Sequence, residues 1–161
     1  MTDLKPCLYP VGRLLPQAAP MILIDDILGW NEDRVVTGLT VRRGGVFVEE
    51  RGAPAHVALE WMAQSCGALV GIRALEAQQP VQIGFILGTR DFVATVPWFP
   101  LDDRLTVTAI CAYNDGEMAQ FDCSLARDSE ICATARLTLF QPRDLAVLLA
   151  SQGIAFVGPL A

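Results

Sequence analysis

The stretch HVALEWMAQ, residues 56–64, carries three polar side chains in apolar surroundings: His56, Glu60 and Gln64. They recur at every fourth position, so on a helix they form one stripe, one turn apart. An imidazole, a carboxyl and a carboxamide in such a line could run general acid–base chemistry. Histidine exchanges a proton near neutral pH. A carboxyl drawn out of water by apolar neighbours favours its protonated, donating form. A carboxamide can orient either of them. Each residue also has a plainer reading. A histidine at a helix start caps the helix or stands in water, a glutamate is satisfied by an amide one turn on, and a glutamine packs. A buried carboxylate without a partner is costly, so Glu60 needs one on any reading.

The stripe requires a helix, and residues 55–77 supply it. They contain no proline and no turn cluster, and Gln78-Gln79-Pro80 ends the run. The pattern predicts one long helix of about six turns, with Pro54 at its entry. Ala63, Gly67 and Gly71 also recur at every fourth residue. Glycine inside a helix costs about 1 kcal/mol relative to alanine, so this side-chain-poor stripe calls for a packing reason. Close approach of a sheet is the reason the sequence suggests.

The rest of the chain reads as strands. MILIDDILGW (21–30) and RVVTGLTVRR (34–43), split by the turn Asn31-Glu32-Asp33, predict a hairpin. LLPQAAP (14–20) and GGVFVEERGAP (44–54) read as loops. Four more strands follow the helix, over 81–94, 104–115, 118–128 and 130–141. Leu105, Val107 and Ala109 alternate with Thr106, Thr108 and Ile110, the pattern of an antiparallel sheet with one half-exposed face. PRDLAVLLASQG (142–153) predicts a short helix opened by Pro142 and closed by Gly153. The apolar tail IAFVGPLA is expected to dock on the surface or on a second subunit.

A helix apolar nearly all round must be covered nearly all round. The fold class expected is α+β, a long central helix wrapped by a strongly curved antiparallel sheet, with a second copy or another chain covering the remainder. Residues 1–161 are read as one domain, its core spanning about 14–141.

Composition excludes several functions. With 52% apolar and 19% charged residues, the 161-residue chain can bury a real core. A net charge of −6 argues against nucleic-acid binding, which needs clustered Lys and Arg. Cys7, Cys66, Cys111, Cys123 and Cys132 are scattered without a CxxC, and His56 is the single histidine, so no metal and no cofactor is expected. Reduced thiols fit a cytoplasmic setting. The opening MTDLKPCLYP has no apolar core that would predict a secretory signal. Glu60 and Gln64 interrupt the apolar run 55–72, which falls short of the roughly 20 residues that span a bilayer.

Three pieces of the chain, in order, resemble one family. Glu60–Gln64 reads E-x-M-A-Q, similar to the central-helix signature of the hotdog-fold 3-hydroxyacyl-[acyl-carrier-protein] dehydratases of the FabA/FabZ type. LPQAAPMILIDDIL (15–28) is similar to that family's opening, L-P-H-R-x-P followed by an apolar run and Asp. PWFPLDDRLTV (97–107) is similar to its P-G-D-x-L stretch. The resemblance implies a hotdog fold and the elimination of water from a 3-hydroxyacyl thioester, carried on acyl carrier protein or coenzyme A. It further implies a homodimer, or a heterodimer with another hotdog chain. In that family a loop histidine takes the Cα proton, a helix Asp or Glu serves the departing hydroxyl, and the two come from different protomers.

Glu60 matches the helix carboxylate. The loop histidine, fourteen residues upstream in the family, has no counterpart: that position is Val46. Phe47 matches the motif's phenylalanine, and Pro54-Ala55 match its final P-G. The resemblance thus implies that Val46 and Phe47 lie near substrate. It puts Ala55 and His56 where the helix-start amide meets the thioester oxygen, a role that backbone N–H groups fill. The missing histidine, with LPQAAPM and E-x-M-A-Q kept, resembles a divergent branch found in aryl-polyene pigment clusters, whose members are thought to pair with a more ordinary hotdog dehydratase.

Four readings follow. The chain is a dehydratase using Glu60 with His56 or another base, supported by Gln64. It is a half-catalytic or non-catalytic subunit serving a partner dehydratase. It is an acyl thioesterase with Glu60 activating water. Or it is a binding module for acyl chains. Arg42, Arg43 and Arg73 are the candidates for a basic landing patch for an acidic carrier protein.

Overall fold

A computed structural model describes residues 3–154. Its elements in order are α1 (Val11–Leu14), β1 (Asp26–Trp30), β2 (Arg34–Thr40), β3 (Ala53–Pro54), α2 (Ala58–Glu76), β4 (Phe85–Ala94), β5 (Trp98–Phe99), β6 (Arg104–Asn114), β7 (Met118–Arg127), β8 (Glu130–Phe140) and α3 (Leu145–Ser151). A single 3₁₀ turn, Ala55–Val57, leads into α2. Six strands form one antiparallel sheet in the order β1-β2-β6-β7-β8-β4, while β3 and β5 pair separately. The sheet curves around α2, the hotdog arrangement that the resemblance implies.

Alternation decides which way the strands face. On β6, Leu105, Val107 and Ala109 are buried toward the helix, and Thr106 and Thr108 are only half-buried. Val107 lies opposite Thr37 of β2 and Leu125 of β7, both fully buried, so three neighbouring strands present one buried face. From α2, Trp61, Met62, Cys66, Leu69 and Ile72 meet that face. The hairpin β6–β7 turns at Asn114-Asp115-Gly116. Gly116 has φ +99°, and Asp115 accepts from the N–H groups of Glu117 and Met118.

Three expectations change in detail. The first strand begins at Asp26 rather than Met21. The reason is tertiary: the backbone of Met21 and Leu23 is bound by the Gln64 side chain, not by a neighbouring strand. The proline-punctuated stretch is preceded by a true helical turn, α1, whose Leu14 and the following Leu15 are buried in the core. That turn, not the sheet, explains the glycine at 71. A Cβ on Gly71 would collide with the Leu14 carbonyl oxygen, whereas a Cβ on Gly67 would meet only the Leu15 side chain, at 3.5 Å. Helix α3 is capped by Asp144, which accepts from Val147 N at 3.1 Å, and Gly153 follows it at φ +74°. Of the apolar tail, residues 155–161 lie outside the described residues.

The sheet ends on β4, which pairs with β8 alone. Its side chains are unusually apolar for an edge: Phe85, Ile86, Leu87 and Val93 are exposed, Leu87 to 56% and Val93 to 57%. An exposed, apolar edge strand is a template for pairing with another chain.

Candidate active site

A cavity of about 400 Å³ lies between one face of α2 and residues of β4, β7 and β8. Its floor is Glu60, Ala63, Gln64, Gly67 and Gly71. Leu15, Pro16 and Gln17 form one wall; Val81, with Phe85 and Ile86 of β4, forms the other. The β6–β7 turn closes the far end with Asn114, Gly116 and Glu117. The helix shapes this space by omission. Alanine and glycine at 63 and 67 leave room for a narrow, flexible chain where larger side chains would fill it.

Glu60 stands half-buried at one end, bound by Gln64 one turn later: Gln64 Nε2 donates to Glu60 Oε1 at 3.0 Å. The same Nε2 donates to Met21 O at 2.7 Å, and Gln64 Oε1 accepts from Leu23 N at 2.8 Å. These partners use both amide protons and the carbonyl of a fully buried side chain, and they fix which end of the amide is which. The consequence for Glu60 is chemical. Its Oε1 is held as an acceptor, and Oε2 is left without a hydrogen bond among the described residues.

The other expected residues lie elsewhere. His56 sits in the 3₁₀ turn before α2, exposed, without a side-chain hydrogen bond among the described residues, and it does not line the cavity. Ala55 is half-buried and its N–H donates to Pro97 O at 3.0 Å, so that amide is already occupied. Val46 is half-buried and Phe47 is exposed at φ +64°; neither lines the cavity. The structure therefore brings Glu60 and Gln64 together and leaves His56, Ala55, Val46 and Phe47 outside. It adds Gln17 and the 81–86 segment, which residue-by-residue reading did not single out.

The arginines are partly spoken for. Arg42 pairs with Asp25 at 2.8 Å. Arg73 donates to Glu32 O at 2.9 Å through Nε and lies 3.6 Å from Asp33, tying the end of α2 to the β1–β2 turn. Arg43 is exposed and makes no ion pair among the described residues. Behind the helix, the Cys66 and Cys123 sulfurs lie 3.5 Å apart, and burial pushes the Cys66 thiol well above its ordinary range. Among the described residues no three His, Cys, Asp or Glu side chains cluster to hold a metal, and no helix is long and apolar enough to cross a membrane.

Known proteins share this architecture. A chain of the dehydratase heterocomplex ApeI:P from Xenorhabdus doucetiae superposes with a TM-score of 0.83 at 26% identity, over 90% of this chain and 99% of that one. More distant likenesses show the hotdog fold alone. A hypothetical thioesterase from Streptococcus pneumoniae, solved with coenzyme A, has TM-score 0.58 at 17% identity, covering 73% of this chain and 84% of that one. The E. coli PaaI protein has 0.57 at 13%, covering 73% and 78%. No curated protein sequence matches the chain. The model of the ApeP-like family, described as ApeP dehydratase, matches residues 9–150, nearly all of the chain described above. The chain belongs to the ApeP-like dehydratase family.

Proposed function

We propose that this chain is half of a 3-hydroxyacyl thioester dehydratase. It supplies the acyl cavity and the acid, Glu60, while a second hotdog chain laid along β4 supplies the base. One observation carries the reading: Glu60, anchored by Gln64, opens into a largely apolar cavity one wall of which belongs to an exposed edge strand paired on one side alone. The missing loop histidine and the outward position of His56 support a base from outside the chain. The relative's description as a heterocomplex supports the partner.

In this mechanism the partner's base takes the Cα proton, made acidic by the thioester carbonyl. The electron pair forms the Cα–Cβ double bond and expels the 3-hydroxyl. The Glu60 Oε2 proton joins the departing oxygen as water, leaving a trans-2-enoyl thioester. The acyl chain lies over Ala63 and Gly67.

The test is to assay the chain alone and after co-expression with hotdog dehydratase chains that carry the loop histidine, using 3-hydroxyacyl thioesters of acyl carrier protein and of coenzyme A. Enoyl absorbance is expected only from the co-purified complex, and Glu60→Gln in this chain should reduce it by about 10²–10⁴-fold. Full activity of the complex with Glu60→Gln would overturn the reading. Activity of the chain alone, lost on His56→Ala, would restore the base to His56. Release of free thiol without enoyl product would make it a thioesterase.

A further inference from the structure

Gln17 shares the cavity with Glu60 and Gln64. Its Oε1 is buried and has no hydrogen-bond partner among the described residues. A buried carboxamide oxygen without a donor is disfavoured, and native structures rarely keep one unless something else satisfies it. The neighbouring carboxamide cannot help: Gln64 spends both protons and its oxygen on Met21, Glu60 and Leu23. Gln17 makes no side-chain hydrogen bond among the described residues that would hold its amide in place, so a turn of the terminal torsion brings this oxygen to the cavity, where whatever meets it must bring its own proton.

The proposed substrate brings one. When Glu60 Oε2 donates to the 3-hydroxyl oxygen, that hydroxyl still has its own O–H, which needs an acceptor in turn. We infer that Gln17 is the specificity residue of this cavity, its side-chain oxygen accepting a hydrogen bond from the 3-hydroxyl of the bound acyl thioester. The inference rests on the dehydratase reading above. The terminal torsion of a glutamine is soft and roughly two-fold, so the amide turns its oxygen into the cavity without moving the backbone. Elimination removes the hydroxyl, the enoyl product offers Gln17 no donor, and the oxygen is stranded again. The site thus holds 3-hydroxyacyl chains more tightly than enoyl chains of equal length. A site built around a hydroxyl rejects the analogue that lacks it.

The experiment uses this chain in complex with its hotdog partner and two non-hydrolysable pantetheine thioethers of one chain length, a 3-hydroxyacyl and a trans-2-enoyl analogue. Wild type should prefer the hydroxy analogue by roughly tenfold. Gln17→Met, similar in shape but without an acceptor, should erase the preference by weakening only the hydroxy analogue. Gln17→Glu, which keeps an acceptor, should retain it. Gln17→Ala decides in place of Gln17→Met if the latter does not fold. An unchanged preference in Gln17→Met, or its loss in both Gln17→Met and Gln17→Glu, overturns the assignment while leaving the cavity's function intact. Failure of the wild-type complex to bind either analogue overturns the dehydratase reading itself.

Discussion

Gln64 gives one amide proton to Glu60 Oε1 at 3.0 Å and the other to Met21 O at 2.7 Å, so one buried side chain holds both the Glu60 carboxyl and the segment beside it. Its oxygen takes Leu23 N as well. Gln64→Met keeps the volume and removes every bond. Two backbone groups are then stranded, at about 1–3 kcal/mol each. The variant should lower the midpoint of urea unfolding accordingly, and should cost activity even in complexes that still assemble, because Glu60 loses its orientation. A stable variant with wild-type activity would show that Gln64 only packs.

The small-residue stripe on α2 predicts opposite outcomes four residues apart. Gly71→Ala places a methyl group inside the Leu14 carbonyl and should cost about 1–3 kcal/mol through overpacking, with α1 displaced. Gly67→Ala meets only the Leu15 side chain and gains helix propensity, so it should be neutral or stabilise by up to about 1 kcal/mol. It also narrows the cavity floor. Thermal melts of both, with activity against acyl chains of increasing length, check the pair: Gly67→Ala should melt no lower than wild type yet lose the longer substrates.

What the sequence made legible, and what it hid, follows from how local each cause is. The long helix showed through because nothing between 55 and 77 breaks it, and β6 through its two-residue alternation. The Glu60–Gln64 bond is local too, one helical turn. His56 was read onto the same face by extending that turn back to residue 56. The helix begins with a 3₁₀ turn over Ala55–Val57, whose tighter winding breaks the four-residue register. Gln17 lay in a loop, where no periodicity says which side chain turns inward. The late start of β1 depends on Gln64, 41 positions from Leu23, and no local pattern encodes such a contact. The approach of α1 to Gly71 was likewise hidden, although the glycine itself announced that something came close.

Cys66 should make the fold sensitive to alkali. Burial raises its thiol first, and the bond with Cys123 adds to this. Because the folded chain holds that proton more tightly than the unfolded one, no stability is lost below the ordinary value of 9.0. Above it the unfolded thiol ionises, the folded one does not, and stability should fall steadily as pH climbs. Denaturation midpoints between pH 8 and 11 should decline, and Cys66→Ala, less stable throughout, should decline less steeply. Alkylation of the native chain near neutral pH should mark half-buried Cys7 and Cys111 before Cys66 and Cys123.

The exposed edge of β4 predicts where the second chain binds. Leu87 and Val93 project from a strand that pairs only with β8, and neither lines the cavity. Burying an exposed aliphatic side chain contributes about 1.5–3 kcal/mol, and burying an unpaired lysine opposes association. Leu87→Lys with Val93→Lys should therefore leave the isolated chain folded, as judged by circular dichroism, while native mass spectrometry shows the complex lost or weakened by at least about 100-fold. Dehydratase activity should disappear with the complex and return when the partner is raised to high concentration, because Glu60, Gln64 and the cavity are untouched. A complex that forms normally in the double variant would place the interface on another face, and with it the source of the base.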